Sequence, residues 1–88
     1  MPNVSQSRDL ADRLLLHILQ DEELVSSLLG RSGMSPTQLR GVINTPEINE
    51  FILEFVTESD DRVLACANAI GVAPGEIGMA ARILQRRD

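Results

Sequence analysis

The sequence predicts an all-α fold: a compact bundle of five or six short helices, arranged as two pseudo-repeated trios that share one core. Three observations carry this expectation. Apolar residues recur at three- and four-residue spacing through most of the chain, the period of a helix with one buried face. Phe51 and Phe55 are the only aromatics in 88 residues, so the core falls to Leu, Ile, Val, Met and Ala, which suit helices better than strands. The stretch Gly33-Met34-Ser35-Pro36-Thr37-Gln38-Leu39 is echoed 38 residues later by Gly71-Val72-Ala73-Pro74-Gly75-Glu76-Ile77. The same offset pairs Leu14, Leu15 and Ile18 with Ile52, Leu53 and Val56, and Val25 with Val63. Residues 8–44 and 46–84 are thus a candidate internal repeat. Each half falls near the floor of about 40 residues below which unaided chains seldom fold, so residues 1–88 are read as a single domain.

Taken in order, residues 7–19 form the first helix, with Leu10, Ala11, Leu14, Leu15 and Ile18 on its buried stripe. Asp21, Glu22 and Glu23 open the second, where carboxylates suit the positive end of the helix dipole. Its apolar face is Leu24, Val25, Leu28 and Leu29, and Gly33 is a natural left-handed C-cap. Ser35-Pro36-Thr37-Gln38 starts the third with an N-cap serine, a first-turn proline and a capping-box glutamine. Leu39, Val42 and Ile43 line its inner side. Thr45-Pro46 starts the fourth over residues 46–58, which buries Ile48, Phe51, Ile52, Phe55 and Val56. Ser59 caps the fifth ahead of Asp60 and Asp61; that helix buries Val63, Cys66, Ala67 and Ile70 and stops at Gly71. Pro74 opens the sixth, with Ile77, Ala80, Ala81, Ile83 and Leu84 inward.

Charge narrows the partners. The net charge is −5 and all eight basic residues are arginine, a balance that opposes nonspecific attraction to nucleic acid or anionic lipid. The single Cys66 excludes an internal disulfide and a multi-cysteine metal site; its place on the fifth helix fits a buried, inert thiol. No apolar run reaches membrane-spanning length and no leader pattern opens the chain, so a cytoplasmic, reducing compartment is expected.

Five groups of residues are weighed as carriers of function. Glu47, Glu50, Glu54 and Glu58 share one face of the fourth helix, where like charges at these spacings repel by a few tenths of a kcal/mol per pair. Such a stripe either keeps a helix face solvated or docks a basic partner. Leu16, Leu19 and Leu53 lie at the margins of their stripes and would form a partner surface if exposed together. The two glycine turns have the pattern of a helix-turn-helix DNA reader, and in the third helix Gln38 and Arg40 are the residues that could contact nucleic acid. The equivalent positions of the sixth helix, Pro74, Gly75, Glu76 and Gly78, read no base. Arg82, Arg86 and Arg87 suit a helix C-terminus, or could pair with the acidic stripe within the chain or in a second copy. His17 with Asp21 one turn on is read as a surface histidine, because no nucleophile motif, phosphate loop or ligand cluster accompanies it.

The stretches LLLHILQDEELVSSLLGRSGMSPTQLR and FILEFVTESDDRVLACANAIGVAPGEI resemble a family of short all-helical bacterial proteins of unknown function, commonest in alphaproteobacteria. The resemblance covers most of the chain and implies an all-α fold. It brings no activity, ligand or functional residue. The expected function is a non-catalytic interaction module that binds a partner protein or itself, with no catalytic residue, cofactor or metal. Helix-turn-helix nucleic-acid binding is the alternative.

Overall fold

A computed structural model describes residues 3–43 and 45–85, and among them the chain forms six helices and no strand. They are α1 (Val4–Leu19), α2 (Glu22–Ser32), α3 (Pro36–Val42), α4 (Pro46–Thr57), α5 (Asp60–Ile70) and α6 (Pro74–Gln85). The caps at Ser35, Thr45 and Ser59 are those the sequence predicts, and Asp21, expected only as a first-turn carboxylate, is a fourth. Asp21, Ser35, Thr45 and Ser59 each accept a backbone N–H from the first turn, and Ser35 and Gln38 form a reciprocal capping box. α1 begins earlier than predicted, at Val4. Asn3 and Gln6 form a second capping box, which carries the helix back through the polar stretch Ser5–Ser7.

α1, α4 and α6 pack most closely on one another and enclose the centre. α5 lies against all three, and α2 is held mainly by α1. The radius of gyration is 12.0 Å, matching the roughly 12 Å expected for one compact body of this length. Leu14, Ile18, Leu28, Ile52, Leu53, Val56, Ile77 and Ala80 are completely buried, with Phe55 2% exposed beside them. The first half of the chain therefore contributes α1 to the same core that α4, α5 and α6 build.

The offset of 38 survives in local structure: α2, Glu22–Ser32, becomes Asp60–Ile70, the bounds of α5. Gly33 and Gly71 both take φ 74° and both donate their N–H to a carbonyl one turn back, Leu29 and Ala67. Buried Leu10, Ala11, Leu14, Leu15 and Ile18 map onto buried Ile48, Asn49, Ile52, Leu53 and Val56. Packing departs from the pattern at the third helix of each trio. α6 is wedged between α1 and α4, whereas α3 makes no extensive packing with any helix and buries only Leu39 fully.

Candidate functional site

α4 has two unlike faces. Ile48, Ile52, Phe55 and Val56 point into the core, and the carboxylates follow one another on the far side. Glu47, Glu54 and Glu58 are exposed and Glu50 is half-buried. Among the described residues only Glu58 is in an ion pair: Arg31, at the end of α2, donates from Nε and Nη2 to its carboxylate, the closest contact being 2.8 Å. Arg62, the first basic residue after the stripe, is engaged elsewhere. It donates from Nη1 to the Phe55 carbonyl at 2.6 Å, and its guanidinium lies 4.0 Å from the Phe55 ring centroid.

The hydrogen bonds from Arg31 hold the Glu58 carboxyl below the usual carboxylate range. A carboxyl with a depressed folded value contributes stability above its ordinary pKa, and loses that contribution as pH falls through the lowered one. Both groups are solvent-exposed, so the effect on stability is small. The local effect is measurable: in Arg31→Met the Glu58 titration midpoint, followed by carboxyl carbon NMR, is expected to move up toward the ordinary value. An unmoved midpoint would show that the pair does not persist in solution.

Leu53 does not join a surface. It is fully buried because α4 is covered on several sides, by α1, α5 and α6, so its buried arc is wider than a single stripe. Leu16 is 61% exposed on the side of α1 opposite its core stripe, and Leu19, three residues on, is 38% exposed. The partner surface predicted from Leu16 and Leu53 together therefore does not exist. Leu64 of α5, which sequence reasoning did not single out, is 56% exposed.

The nucleic-acid candidates sit on a helix of seven residues. Gln38 is exposed, but its Oε1 accepts the Ser35 N–H at 2.8 Å as part of the capping box; Arg40 is exposed on the same short helix. The chain turns through 108° between α5 and α6 across three residues, a helix-turn-helix angle, yet Pro74, Gly75 and Glu76 occupy the exposed start of α6. Arg82 is exposed in the last turn of α6, and Arg86 and Arg87 lie outside the described residues. Asp21 spends one carboxylate oxygen on the N–H groups of Glu23 and Leu24, which makes it a cap of α2 and not a partner for half-buried His17. Cys66 is 1% exposed, and burial pushes its thiol up, away from the reactive thiolate. Among the described residues no three His, Cys, Asp or Glu side chains converge on a common point.

Two features were not predicted. Asn49, 2% exposed, bridges α4 to α1: its Nδ2 donates to Asp12 Oδ1 at 2.9 Å, and its Oδ1 accepts from Arg8 Nε at 3.2 Å. The second is an apolar cleft of about 260 Å³ beside the acidic stripe, lined by Ser32, Met34, Val42, Glu47, Ile48 and Phe51. Its walls come from the α2–α3 turn, α3 and α4, three segments whose proximity no single helical stripe reveals.

The chain belongs to the family described as Protein of unknown function (DUF3572), whose model matches residues 4–87. No curated protein and no solved structure matches it. The family description assigns no activity.

Proposed function

We propose that this chain is a small non-catalytic interaction module that engages a partner protein, or a second copy of itself, through the acidic outer face of α4. The observation that carries this reading is the row of Glu47, Glu50 and Glu54 opposite a fully buried helix face, with no ion pair to any of them among the described residues. Like charges at these spacings weaken the helix that bears them by a few tenths of a kcal/mol per pair. A basic partner removes that repulsion on binding. The fourth member of the row illustrates the chemistry, since Arg31 already grips Glu58 with two nitrogens.

The test compares the wild-type chain with the double variant Glu50→Arg/Glu54→Arg as immobilised bait in native lysate, with sedimentation velocity to report self-association. A specific partner, or a dimer, held by wild type and lost on charge reversal is the expected result. Retention undiminished by the reversal would remove the acidic face from the account. Exposed Gln38 and Arg40 on α3 are what favours a second reading, nucleic-acid binding. Anisotropy of a labelled duplex separates the two: a DNA binder loses log K by about 0.9 per neutralised phosphate for each tenfold rise in salt. No binding at low salt is expected here.

A further inference from the structure

We propose that the cleft between α3 and α4 is an anchor pocket for an aliphatic side chain of a basic partner segment, whose arginines or lysines lie along Glu47, Glu50 and Glu54. This rests on the interaction reading above and names the chemistry of the partner. Ile48 forms the buried floor, 2% exposed, and Met34, Val42 and Phe51 are half-buried walls. Among the described residues none of α1, α5 or α6 lines the cleft. At about 260 Å³ the space lies below the range of small-molecule sites, roughly 300–1,000 Å³, and suits one or two aliphatic side chains.

Charge selects the occupant. Glu47 belongs both to the cleft lining and to the acidic row, so an apolar residue seated in the cleft brings its chain neighbours onto that row. Half-buried Glu50 lies on the row's far flank, in a groove with Val4, Arg8 and Leu84. A net charge of −5 steers a basic segment in and repels a second copy. Among the described residues only Arg40 and Arg82 of another copy remain without a hydrogen bond or ion pair. Arg8, Arg13, Arg31 and Arg62 are already committed to Asn49, the Ile70 carbonyl, Glu58 and the Phe55 carbonyl. The walls can adjust to the guest. The Met34 thioether is unbranched and adaptable, and α3 is the helix least held by its neighbours.

The experiment uses two labelled helical peptides of equal positive charge: one with a leucine ridge flanked by arginines, and a twin with serine in place of leucine. Wild type is expected to bind the leucine peptide at least about tenfold more tightly by anisotropy, the worth of burying one aliphatic side chain. The Met34 methyl resonance of the ¹³C-methyl-labelled protein should shift with the leucine peptide alone. Val42→Trp, which fills the cleft, should reduce leucine-peptide affinity to that of the serine twin. If that variant fails to fold, the Met34 resonance of wild type decides. Equal binding of both peptides, lost in Glu50→Arg/Glu54→Arg, would overturn the anchor pocket and leave the acidic docking face standing. A failure of both peptides to bind at low salt would overturn both.

Discussion

Replacing Phe55 by alanine is expected to destabilise the fold by about 3–5 kcal/mol, the usual cost of emptying a large buried aromatic site. Phe55 is the largest of the fully buried side chains, and it lies on α4, which packs on α1, α5 and α6. Its loss removes apolar burial from the centre and also the ring under the Arg62 guanidinium, a contact worth about 0.5–2 kcal/mol. Arg62 would keep its bond to the backbone carbonyl of residue 55, which alanine still supplies, so the cavity dominates. A chain of 88 residues has a total stability of only about 4–13 kcal/mol, so this one substitution removes a large share of it. Urea unfolding followed by circular dichroism measures the effect. Phe55→Leu should cost far less, within about 1.5 kcal/mol plus the lost cation–π contact. Leu16→Ser, at an exposed site, should fall within about 0.5 kcal/mol of wild type. A Phe55→Ala loss no greater than that of Leu16→Ser would mean that the inner face of α4 is misplaced.

The contrast between Phe55 and Leu53 shows what the sequence can and cannot specify. Caps are local chemistry, so Asp21, Ser35, Thr45 and Ser59 announce their helices without help from tertiary structure. The start of α1 was less visible because Ser5, Gln6 and Ser7 interrupt the apolar period, although Asn3 and Gln6 carry the box that begins it. Leu53 is a different case. A stripe drawn on one helix assumes one neighbouring layer, and α4 has three neighbours, so a residue at the margin becomes fully buried. The acidic row was legible because three- and four-residue spacing alone places those carboxylates together. The cleft beside it was not, since Met34, Val42 and Ile48 meet only after the chain has reversed between α2, α3 and α4. Nor does the 38-residue echo contain the packing difference between α3 and α6, which arises from what each helix finds as a neighbour.

Asn49 is where the echo departs from an apolar pattern, and substitution there is expected to have the second large effect. The offset sets it opposite Ala11, and both positions are buried. Asn49→Ala therefore makes the two inner faces chemically alike, at a cost of about 1–3 kcal/mol for two lost hydrogen bonds to charged partners. The lower end of that range is favoured because Arg8 and Asp12 are half-buried and four residues apart on α1. They can turn to each other and recover part of the loss. Asn49→Asp should be worse at neutral pH, since it replaces the donor that faces Asp12 with a second carboxylate in a buried setting. Burial and the Asp12 carboxylate, acting against the Arg8 guanidinium that faces the other oxygen, are expected to raise the folded pKa of the introduced carboxyl above its unfolded value. Its penalty is therefore full above that raised value and is relieved as pH falls through it toward the unfolded one. Urea melts of both variants, referenced to wild type at neutral and mildly acidic pH, separate the contributions. A penalty for Asn49→Asp that shrinks on acidification, beside one for Asn49→Ala that changes less, identifies Asn49 as the donor between two helices. Equal, pH-independent losses would instead assign its role to packing volume alone, and α1 would then be positioned against α4 by its aliphatic residues.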